Sequence, residues 1–306
     1  MKLKHTHAVW LMVLAPLLWS TAGVVTRQLE HARAFEITFW RSFFTAMSLL
    51  VILPLWQGRG VWARMWQERV ALLASGLCWG VMFTAFMVAL TLTSVANVLI
   101  TLAAGPLLTA LTSRFFIGHQ LPTRTWVAIV VAGLGIAYMF GSQLGEGGIL
   151  GTVVAFCVPV AASINWTLVQ RSQRSGHVVD LVPAVLVGAV LSTLVTLPLA
   201  WPLSASAHDI ALLAGLGFGQ LAVPCVLAVV CARVLSAPEV SLLALLEVLF
   251  GILLAWLGAG EVPSRQILLG GGLVMGALVA NEWLGWRERA GHFQIRQTET
   301  DLGEKT

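Results

Sequence analysis

The residue with the largest chemical consequence is Glu247, a carboxylate set in an apolar run eight residues after Glu239 and fourteen before Glu261. An ionised carboxylate at the centre of a bilayer costs about 2.5–3.5 kcal/mol on insertion scales. Glu247 is therefore expected to face a wet cavity, meet a cation such as a ligand ammonium, or carry a proton; the alternative is a carboxyl hydrogen-bonded between helices for packing. Trp79 and Phe83 are four residues apart and share one helix face. With Trp19 and Trp166 they can form aromatic walls that stack on an apolar or cationic ligand, or they are ordinary core and lipid-facing rings. Hydrogen-bonding capacity comes from Ser20, Thr101, Asn165 and Gln220. Buried amides need partners, and in lipid those are other helices or cavity water. Arg41 is expected to pair with Glu36 or to cap helix carbonyls near the outer face, with recognition of a carboxylate as the alternative. Pro16, Pro106, Pro159 and Pro224 each remove a backbone donor within an apolar run, as hinges or as static kinks.

Other chemistries lack their residues. The chain has no His-Glu-x-x-His, no Gly-x-Ser-x-Gly, no paired aspartates in apolar runs and no Walker motif. Its four cysteines lie in apolar runs without metal-ligand spacing. No catalytic residue, metal or cofactor is expected, and the chain is read as a non-enzyme; an intramembrane enzyme is the weakest alternative.

The elements that must hold these residues follow from composition. Of 306 residues, 58% are hydrophobic and 10% charged, against about 25% charged in a soluble domain. So few charges cannot cover a water-soluble surface, and the net charge of +4 forms no basic stripe for nucleic acid. A crossing helix needs roughly 20 apolar residues. Arg69 to Arg114 encloses 44 residues without Asp, Glu, Lys or Arg, which is two spans and a tight turn at Thr91–Ser94. Other charge-free gaps run from 21 to 28 residues, one span each. The expectation is an all-α membrane protein with ten transmembrane helices at about 7–27, 34–56, 69–91, 94–115, 122–141, 148–170, 180–201, 209–232, 239–258 and 266–284. The first run is too long for a signal-peptide core and is expected to remain as a span. With the N-terminus inside, Lys and Arg other than Arg41 divide 14 to 3 between the inner and outer sides, so both termini are expected to be cytoplasmic. Most of the 13 Trp fall near span ends, as interfacial anchors do; Trp19, Trp79 and Trp166 do not.

The two halves repeat each other. Ala71–Ala74 recurs as Ala211–Ala214, Ser94 as Ser236, Gln120–Arg124 as Glu261–Arg265 and Pro16 as Pro159, at offsets of 140 to 143. Four matches in order at nearly one offset indicate duplication. Five spans per copy is an odd number, so the second copy enters from the opposite side. The fold class is then two inverted five-helix repeats, 1–143 and 144–286, with a cytoplasmic tail at 287–306. Inverted repeats related by an in-plane pseudo-two-fold suit alternating access around a shared site. Gly272–Gly276 in the tenth span is a Gly-x-x-x-Gly contact face, internal or for a homodimer.

At this point the chain resembles the drug/metabolite transporter superfamily, EamA type. The matching stretches are Leu18-Trp19-Ser20-Thr21 and Phe39-Trp40-Arg41-Ser42-Phe43-Phe44. Each half then carries a Gly-containing turn and a Gly-rich last span: Gly105-Pro106 to Gly118-His119-Gln120 with Gly133-Leu134-Gly135, and Leu246-Glu247-Val248 to Gly260-Glu261 with Gly270-Gly271-Gly272. The family usually has Glu-Pro at Glu247-Val248 and Gly-Glu at Gly118-His119. The resemblance implies a secondary active transporter in the bacterial inner membrane that exports small amphipathic metabolites such as amino acids, as a monomer or a homodimer through the tenth helix, with lipids and a small-molecule substrate as its partners. In that setting Glu247 would couple proton entry to substrate exit. An importer or an uncoupled exchanger is the alternative.

Overall fold

The structure, a computed structural model, describes residues 4–117, 122–143, 149–174, 179–231, 234–235 and 243–303. Gly118, His119, Gln120, Ser236 and Glu239, on which the sequence reading draws, lie outside the described residues. Among the described residues there is no strand. That is the expected outcome for continuous apolar runs, because helices alone satisfy every backbone group within a single segment in lipid.

The first half runs through α1 (His5–Trp19), α2 (Thr21–Thr26), α3 (Ala34–Gln57), the short α4 (Val61–Gln67), α5 (Arg69–Leu92), α6 (Val95–Leu102), α7 (Gly105–Ile117) and α8 (Thr123–Gln143). The second half runs through α9 (Ile149–Arg174), α10 (Val182–Ala200), α11 (Ala207–Gly215), a π-helical stretch (Leu216–Ala222), α12 (Val223–Cys231), α13 (Leu246–Ala259) and α14 (Arg265–Gly303). Eight segments among the described residues are long and apolar enough to cross a membrane, and Thr123–Tyr138 and Leu246–Ala259 are shorter apolar helices. Among the described residues the chain is all-helical, with the long apolar helices of a multi-pass membrane protein.

Local chemistry sets the joints. The turn between α5 and α6 falls at Thr93–Ser94, where Ser94 caps α6 by accepting from the Asn97 N–H at 3.2 Å. Ser206 and Asp209 form a capping box at the start of α11. Gly58 and Gly260 close α3 and α13 with φ of 77° and 65°, a region that suits glycine. Two breaks have no polar signal. The fourth apolar run turns at Ala103–Ala104 and restarts at Gly105 with Pro106 in its first turn, where the missing donor costs little. The ninth run turns at Leu245 and restarts as α13.

Packing follows small residues and paired polar groups. α5 packs against α10 and α9, α3 against α10 and the π-helical stretch, α1 against α12, α6 against α13 and α8 against α14. Between α5 and α10, Gly76 and Gly80 meet Gly188 so closely that a Cβ on Gly188 would lie 2.9 Å from the Gly80 nitrogen and 3.0 Å from the Gly76 carbonyl oxygen. The Gly-x-x-x-Gly face at work is therefore Gly76–Gly80. On the Gly272–Gly276 pair, by contrast, a Cβ would meet nothing within 4 Å among the described residues. Hydroxyls tie helices where water is absent: Ser192 lies 2.9 Å from both Ser42 and Thr84, and Asn97 donates to Thr152 at 2.6 Å.

One end of the bundle is fastened by acids. Asp209, fully buried, accepts from the backbone N–H groups of Glu30, His31 and Ala32, each at 3.0 Å. Glu36 returns the favour across the same boundary, accepting from Ser204 and Ala205 N–H at 2.8 and 2.7 Å. Glu36 is thus committed to the 201–206 loop and does not pair with Arg41, which corrects the pairing expected from the sequence. Arg27 meets Glu261 at 3.2 Å and donates to the Leu90 and Thr93 carbonyls, while Glu261 accepts from Val95 N–H at 2.6 Å. Replacing Asp209 with Ala strands four backbone donors at once, those of Glu30, His31, Ala32 and Ser206, and hydrogen bonds to a charged group are worth about 1.5–3 kcal/mol each without being additive. An Asp209→Ala variant should lose about 2–4 kcal/mol of stability in detergent, read by thermal denaturation; a change below about 0.5 kcal/mol would mean the clamp is decorative.

Candidate functional site

Both helix breaks open on the same space. A cavity of about 210 Å³ lies where α6 gives way to α7 and where Leu245 gives way to α13, and Leu102, Ala103 and Pro106 face it from one side, Leu245, Glu247 and Val248 from the other. An interrupted helix leaves backbone donors and carbonyls without intrahelical partners, and non-helical backbone at membrane depth is tolerated where it borders a cavity.

The aromatic residues singled out in the sequence meet here. Trp19, Trp79, Phe83 and Trp166 all line the cavity. The Trp79 and Phe83 rings sit 5.4 Å apart with planes tilted by 41°, the outcome of their four-residue spacing on α5. Phe86, three residues beyond Phe83 on the same face, extends that wall. It was missed, although the i, i+4, i+7 spacing from Trp79 was readable.

Glu247 lies in the first turn of α13 and lines the cavity, rather than sitting in the middle of an unbroken helix. A carboxylate there is favoured by the positive end of the helix dipole. Among the described residues Glu247 has no ion pair within 4.0 Å. Arg41 is the cation that acts on it electrostatically.

Arg41 is the largest difference from the sequence reading. Seven residues into α3, it is almost fully buried and lines the cavity. Its Nη1 donates to Gln220 Oε1 at 3.1 Å and its Nη2 to the Phe83 carbonyl at 3.0 Å. Its charge rests near the Phe83 and Phe86 rings, 6.0 and 5.8 Å from their centroids. It does cap a helix carbonyl, but one on the cavity wall. The signal was present in Phe39-Trp40-Arg41, where a charge in an aromatic run demands a partner.

Gln220 lines the cavity and belongs to the π-helical stretch, a geometry frequent at functional sites. Its Nε2 donates to the Trp19 carbonyl at 3.1 Å, free because α1 ends there. Close approach holds the stretch in place: a Cβ on Gly217 would lie 2.7 Å from the Arg41 carbonyl oxygen. Thr45 donates to the Gly217 carbonyl at 3.0 Å.

The remaining sequence candidates are placed elsewhere. Ser20 and Thr101 do not line the cavity; their hydroxyls bond back to the Leu17 and Asn97 carbonyls at 2.7 Å. Asn165 accepts from Ser75 at 2.6 Å and joins α9 to α5. Pro106 and Pro159 line the cavity, whereas Pro16 and Pro224 are buried in α1 and α12 away from it.

Comparison with known proteins bears on the first half. Residues 6–141 match the EamA-like transporter family. The EamA resemblance read from Leu18–Thr21 and Phe39–Phe44 is thereby shown, and both stretches fall within the matched residues. One solved crystal structure, titled only as a protein, is 20% identical, covers 92% of this chain and 99% of its own, and superposes with a TM-score of 0.62. At that identity the likeness concerns the fold. No curated protein matches the chain. An EamA-like transporter match on an all-helical membrane fold points to a transporter of small molecules.

Proposed function

We propose that the chain is a secondary active carrier that exports small amphipathic metabolites, amino acids among them, by alternating access across the bacterial inner membrane. The observation that carries this reading is the cavity bounded by two broken helices, one from each half, with aromatic walls and, among the described residues, one carboxylate, Glu247. In carriers, discontinuous helices near the bilayer midplane build the substrate site.

Ten spans in two inverted repeats are part of the proposal, and the packing supports them. Pairing α1/α2 with α9, α3 with α10, α5 with α11–α12, α6/α7 with α13 and α8 with α14 maps one half onto the other. Under that exchange the α5–α10 contact becomes α3 against the π-helical stretch and α11, α5–α9 becomes α12–α1, and α7–α9 becomes α13–α1/α2, all of which occur. The contacts α3–α10 and α8–α14 map onto themselves. The breaks at Ala104 and Leu245 are 141 residues apart, within the sequence offset of 140 to 143. The family match ends two residues short of the proposed repeat boundary at 143. None of this symmetry is needed by an enzyme.

With both termini cytoplasmic, as the Lys and Arg distribution favours, the end fastened by Asp209, Glu36 and Arg27–Glu261 is the outer one. The cavity then reaches inward past Met12, Thr109 and Ala228, an inward-facing arrangement with the outer gate shut. Glu247 accepts a proton from the outer side, and that proton displaces the substrate bound from the inside.

Counterflow in proteoliposomes with a panel of labelled metabolites, run with and without a pH gradient, tests the reading. We expect trans-stimulated exchange of a subset of amphipathic compounds and gradient-driven accumulation of the same subset. Absence of exchange for every compound would remove the carrier reading; exchange that ignores the gradient would leave an uncoupled exchanger.

A further inference from the structure

Arg41 is a buried cation with no carboxylate in direct contact among the described residues; Glu247, on the same cavity, acts on it only at longer range. Among the described residues it makes no salt bridge within 4.0 Å, and its two hydrogen bonds go to neutral acceptors, the Gln220 side chain and the Phe83 carbonyl. Its Nε is buried and has no acceptor at all. A guanidinium carries five donors and keeps its charge at any physiological pH. An uncompensated charge taken out of water is costly, and membrane proteins place such charges where a partner arrives.

The partner's chemistry can be read from the cavity. Arg41 and Glu247 lie on the same wall-bounded space, and the aromatic faces of Trp79, Phe83 and Trp166 complete it. A volume of about 210 Å³ equals roughly seven water molecules at ~30 Å³ each, room for a molecule of amino-acid size. We propose that Arg41 is the anionic-group anchor of this site and that the ligand is a small zwitterion, its carboxylate on Arg41, its ammonium at Glu247 and its apolar side chain among the rings. The proposal rests on the carrier reading above and narrows its substrate class. Gln220 and the Phe83 carbonyl are then positioning groups: each takes one guanidinium donor, and the Nε donor is left unpaired at the cavity wall. A planar fork matches a carboxylate in a way that an ammonium does not. The assignment also explains how a proton and a substrate exchange. Both the ligand ammonium and the proton neutralise Glu247, so each excludes the other, and protonation removes one of the two charged contacts that hold the ligand.

The test uses the full chain in detergent and three probes of one size: L-phenylalanine, phenethylamine, which lacks the carboxylate, and hydrocinnamate, which lacks the ammonium. Equilibrium dialysis should show phenylalanine bound at least about tenfold more tightly than either truncated probe, the scale of a lost charge-assisted hydrogen bond. In an Arg41→Met protein that keeps its wild-type helical content, phenylalanine and phenethylamine should bind within about twofold of each other, whereas Arg41→Lys should restore part of the difference. The wild-type series decides even where the variants do not fold. Phenethylamine bound as tightly as phenylalanine would overturn the proposal and make Arg41 an internal counter-charge for Glu247; failure of all three to bind would overturn it as well. Either result can coexist with successful counterflow of other metabolites, so loss of this assignment is distinguishable from loss of the carrier reading.

Discussion

A Glu247→Gln protein should lose gradient-driven accumulation while keeping exchange. One pH unit across the membrane is worth 1.36 kcal/mol per proton, a factor of ten in substrate ratio at one proton per substrate with the electrical potential clamped. Wild-type vesicles should therefore approach a roughly tenfold ratio per pH unit, and the variant should stay near unity. Gln keeps the size and the hydrogen-bonding capacity of the side chain but cannot be exchanged between charged and neutral forms. Glu247 is at the start of a helix beside open cavity and without a direct ion pair among the described residues. The substitution should accordingly leave folding intact, and counterflow should persist at raised substrate concentration, since the ammonium contact is weakened while the chamber remains. Unchanged pH dependence in the variant would remove the coupling role and leave Glu247 as a structural carboxyl.

Gly188→Val should destabilise the bundle and disturb the site together. Any Cβ at this position runs into the Trp79 side chain, the Gly80 nitrogen and the Gly76 carbonyl. Two of these three are backbone, so the neighbour cannot move aside by changing rotamer. Overpacking typically costs 1–3 kcal/mol, and this contact belongs at the upper end, about 3 kcal/mol, or roughly 5–10 °C in Tm. The damage should reach the site, because Trp79 sits on the cavity wall and on this interface at once. Substrate affinity should fall with stability. Gly272→Val is the matched control: among the described residues nothing lies within 4 Å of its Cβ direction, and its Tm should shift by less than about 2 °C. A Gly188→Val protein with wild-type Tm would mean that α5 and α10 do not approach as described.

The spans were legible because charge is so costly in lipid that its absence over 21 to 44 residues leaves little choice. The breaks within the fourth and ninth runs were not. Ala103–Ala104 and Leu245 are apolar, so no polarity change marks them, and Pro106 alone hinted at one. The site was half legible for the same reason. Glu247 and the clustered aromatics carry chemistry that lipid does not explain, and they do meet. Asn165, Thr101 and Ser20 looked equally polar, but a buried amide or hydroxyl takes the nearest acceptor, and here that was a neighbouring helix or its own backbone. Arg41 was placed at the outer face because it is only seven residues into its helix; the aromatic and amide groups that draw it inward come from α5 and the π-helical stretch, far away in sequence. Gly76–Gly80 and Gly272–Gly276 are the same pattern in one dimension. Only the approach of Gly188 separates a working contact from an open one.

The native thiol at Cys225 lines the cavity and offers a direct probe of alternating access. With Cys78, Cys157 and Cys231 replaced by Ala, Cys225 in reconstituted vesicles should react with a small membrane-impermeant thiosulfonate added to either side, and substrate should slow both reactions. Modification from one side alone, whatever ligand or gradient is present, would contradict a chamber that opens alternately between two inverted halves.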